Sequence, residues 1–468
     1  MNRLLRRRPR PATAMACLAL ALALGGTSYA AVSRLMPRNS VGSAQVINGS
    51  LQKADLSRTA IAALHGARGP QGIRGPSGPP GAQGAKGDPG APGAQGALGP
   101  QGLPGLAVLR PGPSADTLTT LDSGGDVGQS SSATIGADGL GLISYYDVTN
   151  NALKVAHCDN TVCTNAESRT LDGNATTVFG TSVAIGSDAL GLISYLAGGK
   201  LRVAHCDNVA CTTASLSTLE PTVGAGLYSS VAIGTDGLGL ISYYDLTNKD
   251  LKVAHCDNVA CTSATLHTLD NTGDVGQFTS ATIVADSLGL ISYYDATNGD
   301  LKVAHCINFA CTGANVNTLD SAGNVGQYTS VTLGADGLGL ISYYDVTNGN
   351  LKVGHCIDVG CSAAFTNTLD STGDVGAFTS DTLGADGLGL ISYWDQSNFN
   401  PKVAHCSATD CSVATTSTFD GALSAAASTS VTVGTDGLGL ISYYGSGIGD
   451  LKVAHCSSVF CTSYFRRR

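Results

Sequence analysis

The sequence predicts an all-β head that folds as a seven-bladed β-propeller, preceded by a triple-helical stalk. A phrase of about fifty residues recurs seven times after residue 116, and a fixed period of this size is typical of propellers and solenoids. Each copy carries four strand signals, as expected for one propeller blade. Before the repeats, glycine occupies every third position from residue 66 to residue 107.

Residues 1–31 predict a secretory signal or an uncleaved membrane anchor. Five arginines precede the apolar run of residues 12–26, and Ser28-Tyr29-Ala30 fits a small-residue cleavage site. The same stretch, extended to Val32, is long enough to span a membrane if it is tilted. We therefore expect an exported protein, secreted or at the cell surface, that meets a membrane only through this segment if it stays uncleaved.

Residues 38–62 carry apolar residues at every fifth position, which matches neither the helix nor the strand period. These residues are Val41, Val46, Leu51, Leu56 and Ile61. A pentad period is similar to that of pentapeptide repeats, and five pentads are too few to bury a core alone. Our hypothesis is a collar at which three chains associate, and the alternative is a flexible spacer.

Residues 66–107 form fourteen unbroken Gly-X-Y triplets that are rich in proline. Only glycine fits at the axis of the collagen triple helix, so this register predicts a collagen-like stalk, with a disordered linker as the alternative. One such chain cannot form the structure, so the segment predicts a homotrimer. In the order of signal, collar and Gly-X-Y run, residues 1–107 resemble bacterial collagen-like surface proteins. That resemblance implies an exported, trimeric, rod-like stalk without catalytic residues.

The repeats occupy residues 116–463, and the fifth copy shows the four strands, A to D. They are predicted at Thr329–Gly334, Leu338–Asp345, Asn350–Cys356 and a run that ends at Asp370. Asn348-Gly349 joins B to C and is typical of a type I′ hairpin. The repeat also resembles known bacterial propeller repeats.

The order of the strands predicts how the ring closes. The first strand signal after the stalk, Leu118–Asp122, has the character of a D strand, and the seventh copy ends at Cys461 without one. The N-terminal strand should therefore complete the seventh blade. A solenoid does not need its first strand to complete its last repeat, so we expect a closed propeller.

Fourteen of the fifteen cysteines form seven pairs, each with four residues between the partners. Even pairing in an exported chain predicts disulfides. The first partner should end strand C and the second should begin strand D, so that a short C–D hairpin brings the two within bonding distance. Zinc needs four ligands together, which pairs on separate blades do not supply. We therefore predict no metal site, no cofactor and seven disulfides, which join Cys158 to Cys163, Cys206 to Cys211, Cys256 to Cys261, Cys306 to Cys311, Cys356 to Cys361, Cys406 to Cys411 and Cys456 to Cys461.

Strand direction places the D–A and B–C loops on one face, the D–A face, and the A–B and C–D loops on the other, the C–D face. Aromatic rings beside carboxylates on the D–A face suit sugar rings or a peptide. The candidate ligand-binding residues are Tyr244, Asp245, Tyr294, Asp295, Tyr344, Asp345, Trp394 and Asp395 at the B-strand ends, with Tyr228, Phe278, Tyr328 and Phe378 in the D–A loops. Blades two and seven break the pattern, so a site should be stronger over blades three to six. The alternative is that the tyrosines pack between sheets and the aspartates open the turns.

Several classes of function are disfavoured. A net charge of −9 argues against nucleic acid as a partner. Sialidase-like propellers need an arginine cluster, but Arg169 and Arg202 are the only arginines between residues 111 and 465. We expect no enzyme activity and an adhesion head for an extracellular glycan or protein. The alternatives are a polysaccharide hydrolase or lyase that uses Asp residues of the D–A face, and a purely structural coat component.

Overall fold

The computed structural model describes residues 116–173, 179–421, 428–445, 447 and 449–461. The described residues form 28 strands in seven four-stranded antiparallel sheets. The predictions for residues 1–31, 38–62 and 66–107 lie outside them. In this part of the chain no helix is long and apolar enough to cross a membrane.

The strands follow the predicted order A, B, C, D in every blade. Strand β1 is Thr117–Asp122, and blade one holds β2 to β5 at Val127–Ile135, Gly141–Asp147, Ala152–Cys158 and Ala166–Asp172. Blades two and three hold β6 to β13 at Phe179–Ile185, Gly191–Ala197, Lys200–Cys206, Ala214–Glu220, Ala225–Ile233, Gly239–Asp245, Asp250–Cys256 and Ala264–Asp270. Blades four and five hold β14 to β21 at Val275–Ile283, Gly289–Asp295, Asp300–Cys306, Ala314–Asp320, Val325–Leu333, Gly339–Asp345, Asn350–Cys356 and Ala364–Asp370. Blades six and seven hold β22 to β28 at Val375–Leu383, Gly389–Asp395, Asn400–Cys406, Ala414–Thr418, Thr429–Val433, Gly439–Gly445 and Asp450–His455.

The ring closes as the sequence predicts. Strand β1 pairs antiparallel with β28, with Thr117 opposite His455, and so becomes the fourth strand of blade seven. The backbone N–H and the hydroxyl of Ser457 both donate to Asp116 Oδ1, which fastens the point where the chain enters the ring. Residues of blade one share an apolar cluster with Leu440 of blade seven. The described head is therefore a closed seven-bladed β-propeller.

The core lies between adjacent blades. Each B strand is buried along its whole length, because both of its faces pack against other strands of the ring. Its first residue is glycine, and in blade four a Cβ on Gly289 would lie 2.5 Å from Leu240 Cδ2 and 3.0 Å from Cys306 Sγ. This glycine lets the blade approach its neighbour and the disulfide at once.

A ring of serine hydroxyls joins the seven A strands, which lie innermost and pack against one another. In each seam, a serine of one A strand accepts a hydrogen bond from a backbone N–H of the next A strand. The acceptor hydroxyls are those of Ser132, Ser182, Ser230, Ser280, Ser330, Ser380 and Ser430, at 3.0–3.2 Å. The last of them bonds blade seven to Ala133 of blade one and completes the circle.

A buried latch of carboxylate, tyrosine and cation joins the outer part of each seam. Between blades three and four, Tyr293 donates to Asp270 Oδ2 at 2.7 Å, and Lys302 Nζ lies 2.6 Å from the same oxygen. Lys302 Nζ also lies 5.7 Å from the centre of the Tyr293 ring. The same three positions recur at the other six seams, with Glu220 or Arg202 replacing the usual residue at two of them.

The C–D face is architectural. All seven predicted disulfides are present, with Cα atoms 4.6–4.9 Å apart. The histidine beside each disulfide lies close to the aspartate of the A–B turn, and His157 Nε2 is 2.9 Å from Asp138 Oδ2. Asp138 Oδ1 in turn accepts from the backbone of Leu140, so the histidine holds the residue that shapes the turn.

The second cysteine of each disulfide lies in the C–D turn, and the prediction that it begins strand D is wrong. In blade five the backbone N–H of Cys361 donates to Asp358 O at 3.0 Å, and strand D begins only at Ala364. A φ of 46–55° places each of these cysteines in the left-handed region, which lets the turn fold back so that its sulfur meets the end of strand C. The seven residues are Cys163, Cys211, Cys261, Cys311, Cys361, Cys411 and Cys461.

Candidate functional site

The aspartates of the predicted Tyr-Asp pairs are buried in the B–C turns. Asp295 is 1% exposed, accepts from the backbone of Thr297 and Asn298 through Oδ1, and accepts from Asn298 Nδ2 through Oδ2. Asp245, Asp345 and Asp395 hold their own turns in the same way and are as deeply buried. The structure therefore places these four carboxylates inside the blades, where they build turns.

The turn geometry differs from the predicted type I′ hairpin and explains the shorter second repeat. In blade five only Gly349 has a positive φ (67°), and its N–H bonds to Asp345 O across a longer turn. In blade two, Gly198 and Gly199 have φ of 61° and 74° and make a two-residue turn, which fits type I′. The aspartate position there is Ala197, so the carboxylate is lost where the longer turn is lost.

The tyrosines of the same pairs link neighbouring blades. Tyr244 is 2% exposed, and its hydroxyl donates to Asp274 in the following D–A loop at 2.7 Å. Tyr294 bonds Asn324 in the same way at 2.8 Å, and Tyr344 bonds Asp374. Trp394 occupies the equivalent position in blade six and is 6% exposed. These four rings form a buried layer behind the D–A loops.

The four aromatic residues predicted in the D–A loops lie instead inside the A strands, because each A strand begins earlier than predicted. They are half-buried and form a continuous arc. Tyr228, Phe278, Tyr328 and Phe378 succeed one another around blades three to six, with ring centres 4.5, 4.5 and 4.3 Å apart. Each has a φ of 53–55°, in the left-handed region, at a break in the pairing of strands A and B. This bulge makes the A strands longer than predicted, and we call the four rings the aromatic arc.

The arc is open on one side, because the other three blades carry small residues at the same position. These residues are Ser130, Gly180 and Ser428, and the first two share the positive φ. Blades one and two thus keep the backbone conformation of the arc residues while the side chain changes. The arc spans blades three to six, the blades over which the sequence predicts a stronger site.

A cavity of about 180 Å³ lies against the arc and is lined by the arc rings, Ser428 and five hydroxyl residues of the A strands. Because its lining comes from five successive A strands, the cavity lies near the propeller axis. The hydroxyls of Thr279 and Thr329 donate to Ser242 and Ser292 of the preceding blades, each at 2.9 Å. Burial raises the pKa of the Tyr228 and Tyr328 hydroxyls, so both remain protonated at neutral pH.

No charged side chain is among the described residues that line this cavity. Within the described ranges, no group of three or more His, Cys, Asp or Glu residues is arranged to hold a metal ion. The site therefore offers aromatic faces and neutral hydroxyls. These groups suit binding of a neutral ligand through stacking and hydrogen bonds.

Sequence reasoning missed Asp381, a carboxylate buried between blades five and six. Burial raises its pKa to about 7, although hydrogen bonds from Ser330 and Ser342 lower it. The signal was present in the repeat, because the other six copies carry alanine or valine at this position.

Comparison with known proteins supports the two-part organisation. The family model described as collagen triple helix repeat matches residues 62–115. A search of the curated proteins found no match. The chain thus combines a collagen-like repeat with a seven-bladed β-propeller head.

The head is also similar to solved structures, at low identity. A protein of unknown function from Dyadobacter fermentans DSM 18053 is 10% identical, with a TM-score of 0.45, covering 73% of this chain and 97% of that one. Polysaccharide lyase Uly1 is 9% identical, with a TM-score of 0.46 and coverage of 71% and 89%. The NanB sialidase from Streptococcus pneumoniae is 9% identical, with a TM-score of 0.42 and coverage of 72% and 68%. No activity is assigned to this chain from these similarities.

Proposed function

We propose that this protein is an exported trimeric stalk-and-head adhesin whose propeller binds an extracellular ligand at the aromatic arc. The observation that carries the proposal is the arc itself. Four large rings occupy a left-handed backbone position that blades one and two fill with Ser130 and Gly180, while blade seven carries Ser428 at the same place in its repeat. The ring closes in three blades without an aromatic residue at this position, so packing alone does not account for four successive rings on one side of the cavity.

The ligand that fits best is the end of a neutral glycan. Sugar rings present C–H groups that stack on aromatic faces and hydroxyls that exchange hydrogen bonds with serine and threonine. The cavity of about 180 Å³ is open towards solvent, so a terminal sugar can reach the arc rings and the hydroxyls. An acidic sugar would be buried beside neutral groups without a cation, which is costly.

The path of the chain supports an adhesin. Thr117 lies opposite His455, next to the last disulfide, so the chain enters the head on the C–D face. The arc lies on the D–A face, opposite the point of entry. Binding through three linked heads would add avidity to a weak single site.

A glycan array probed with the secreted full chain tests this proposal. The variants Phe278→Ser and Phe378→Ser install the residue that blade one carries as Ser130, at the same φ. The control is Phe399→Ser, which removes a Phe that is 53% exposed in a B–C turn outside the arc.

We expect binding of neutral glycans that both arc variants lose and the control keeps. Binding that survives both arc variants would reject the arc as the site. Absence of any bound glycan on the array would reject the proposed glycan ligand and favour the structural coat alternative. Release of sugar products from a bound polysaccharide would favour the hydrolase or lyase alternative.

A further inference from the structure

The seam between blades five and six carries a carboxylate at a position that is apolar in the other six seams. In strand A of blade six, the bulge residue Phe378 is followed by Thr379, Ser380 and Asp381, and the third position after the bulge faces the preceding blade. It is apolar everywhere except at Asp381, the equivalents being Ala133, Val183, Val231, Ala281, Val331 and Val431. A unique carboxylate in an otherwise apolar, seven-fold repeated position is not required by the fold.

Asp381 is bound by neutral groups of blade five. The Ser330 hydroxyl donates to Asp381 Oδ1 at 2.9 Å, and the backbone N–H of Ser342 donates to Oδ2 at 3.0 Å. Ser330 Oγ also accepts from the Asp381 N–H at 3.1 Å, as in the other seams. These partners do not titrate and bring no positive charge.

The titratable groups of the strands packed against β22 do not supply a free cation to Asp381 either. Strand β20 carries Lys352 and His355, but Lys352 is paired with Asp320 and His355 lies against Asp336. Strands β19 and β23 carry only tyrosines and two carboxylates held in B–C turns, β18 carries Tyr328, and β26 carries none. Burial raises the pKa of every one of these tyrosines, so they stay uncharged at neutral pH. Ionised Asp381 would therefore be an uncompensated charge in the seam. The groups on these other four strands are Tyr328, Tyr343, Tyr344, Asp345, Tyr393 and Asp395.

This seam lies directly behind two rings of the arc. Ser330 follows Tyr328 by two residues, and Asp381 follows Phe378 by three. The two rings are in contact, with centres 4.3 Å apart. The Thr379 hydroxyl donates to Tyr328 O at 2.6 Å, which ties the same two strands together beside the rings.

We propose that Asp381 is a positioning residue of the arc, which in its protonated form keeps blades five and six closed behind Tyr328 and Phe378. Ionisation opens the seam to water and displaces the two rings, so that ligand binding weakens as the pH rises through neutrality. The predicted effect on ligand binding rests on the function proposed above, whereas the predicted opening of the seam is independent of that function.

The chain contains its own reporter of this seam. Trp394 is the only tryptophan in the sequence and belongs to the apolar cluster against which Tyr328 and Phe378 pack. It pairs with Ala377, next to Phe378. Its emission and its quenching by acrylamide therefore measure the packing behind the arc without any ligand.

The experiment titrates the full-length protein and the variants Asp381→Asn and Asp381→Val from pH about 5 to about 9. The asparagine keeps the shape without the charge, and the valine is the residue of neighbouring blades. We expect the wild-type emission to follow a single-proton transition near pH 7, with stronger quenching on the alkaline side. Both variants should lack this transition. Any change common to all three proteins belongs to other groups.

An emission that does not titrate, or that titrates equally in both variants, would overturn the proposal. Repeating the glycan array below and above neutral pH tests the link to binding. We expect wild-type binding to fall at the higher pH and Asp381→Asn binding to persist. Binding that is independent of pH despite an Asp381-dependent emission change would overturn that link. A complete lack of glycan binding would instead reject the proposed function, while the emission result still decides the role of Asp381.

Discussion

From the latch between blades three and four we predict how much Lys302 contributes to the free energy of unfolding. Replacing Lys302 with methionine keeps most of the packing of the stem and removes the ammonium group. It leaves Asp270 without its cation at 2.6 Å and Asp295 without its cation at 3.7 Å. Both carboxylates are nearly fully buried, with side chains that are 4% and 2% exposed.

Breaking a buried ion pair by removal of one partner costs about 3–5 kcal/mol, because a charge is left uncompensated. We expect Lys302→Met to lower the free energy of unfolding by about 4 kcal/mol, since two carboxylates lose their cation. Burial alone would raise the pKa of Asp270, but the hydrogen bonds from Lys302, Thr272 and Tyr293 outweigh it and hold that pKa below its ordinary value. The latch therefore stabilises the fold above about pH 4, and this contribution is lost as the pH falls through the folded pKa of Asp270.

Denaturant unfolding at neutral pH, with the disulfides intact, measures this cost. The matched control is Arg169→Met, which breaks a half-exposed pair with Glu167 and should cost about 0–1 kcal/mol. Adding Asp270→Asn to Lys302→Met should restore part of the loss, because the buried charge goes with it. Equal costs for Lys302→Met and Arg169→Met would refute the argument that burial decides the strength of the latch.

Three further predictions concern the seams and the blade corners. The raised pKa of Asp381 costs the wild type stability as the pH rises from about 4 to above 7, so the free energy of unfolding of Asp381→Val should gain up to about 4 kcal/mol over the wild type in that window. Denaturant unfolding at both ends of the window checks the sign. Gly289→Ala should cost about 1–3 kcal/mol through overpacking, whereas Gly421→Ala, where a Cβ meets nothing within 4 Å, should be near neutral in the same assay. Replacing Cys306 and Cys311 by alanine should cost about 2 kcal/mol, and a fully retained melting temperature would contradict a stabilising role for that disulfide.

Most of the fold was predictable from the sequence, because a period with four strand signals leaves few topologies. The pairing of β1 with β28 followed from counting strands, and the disulfides followed from cysteine spacing, although the left-handed turn at Cys361 did not. The latches were not predictable, because their members are 23 and 32 residues apart and meet only across a seam. Asp295 was expected to bind a ligand at the surface, but the turn that it holds buries it.

The bulge explains why the site was only partly predictable. A strand pattern does not reveal that Tyr328 adopts a φ of 53° and thereby leaves the alternation of strand A. Once this geometry is known, the variation between blades becomes meaningful. Positions that face a seam are constrained by two neighbours, which is why glycine, serine, tyrosine and lysine recur there in nearly every copy.

The residue at the bulge lines the cavity near the axis in blades three to six, and the ring closes with side chains of very different size at this position. Gly180 and Phe378 occupy the same backbone conformation, so the fold tolerates both extremes at this one position. Selection for packing alone would leave the seven copies free to drift independently there. Four successive aromatics beside three small residues instead build one wall and one opening, which is the asymmetry that a binding site requires and a symmetric scaffold does not.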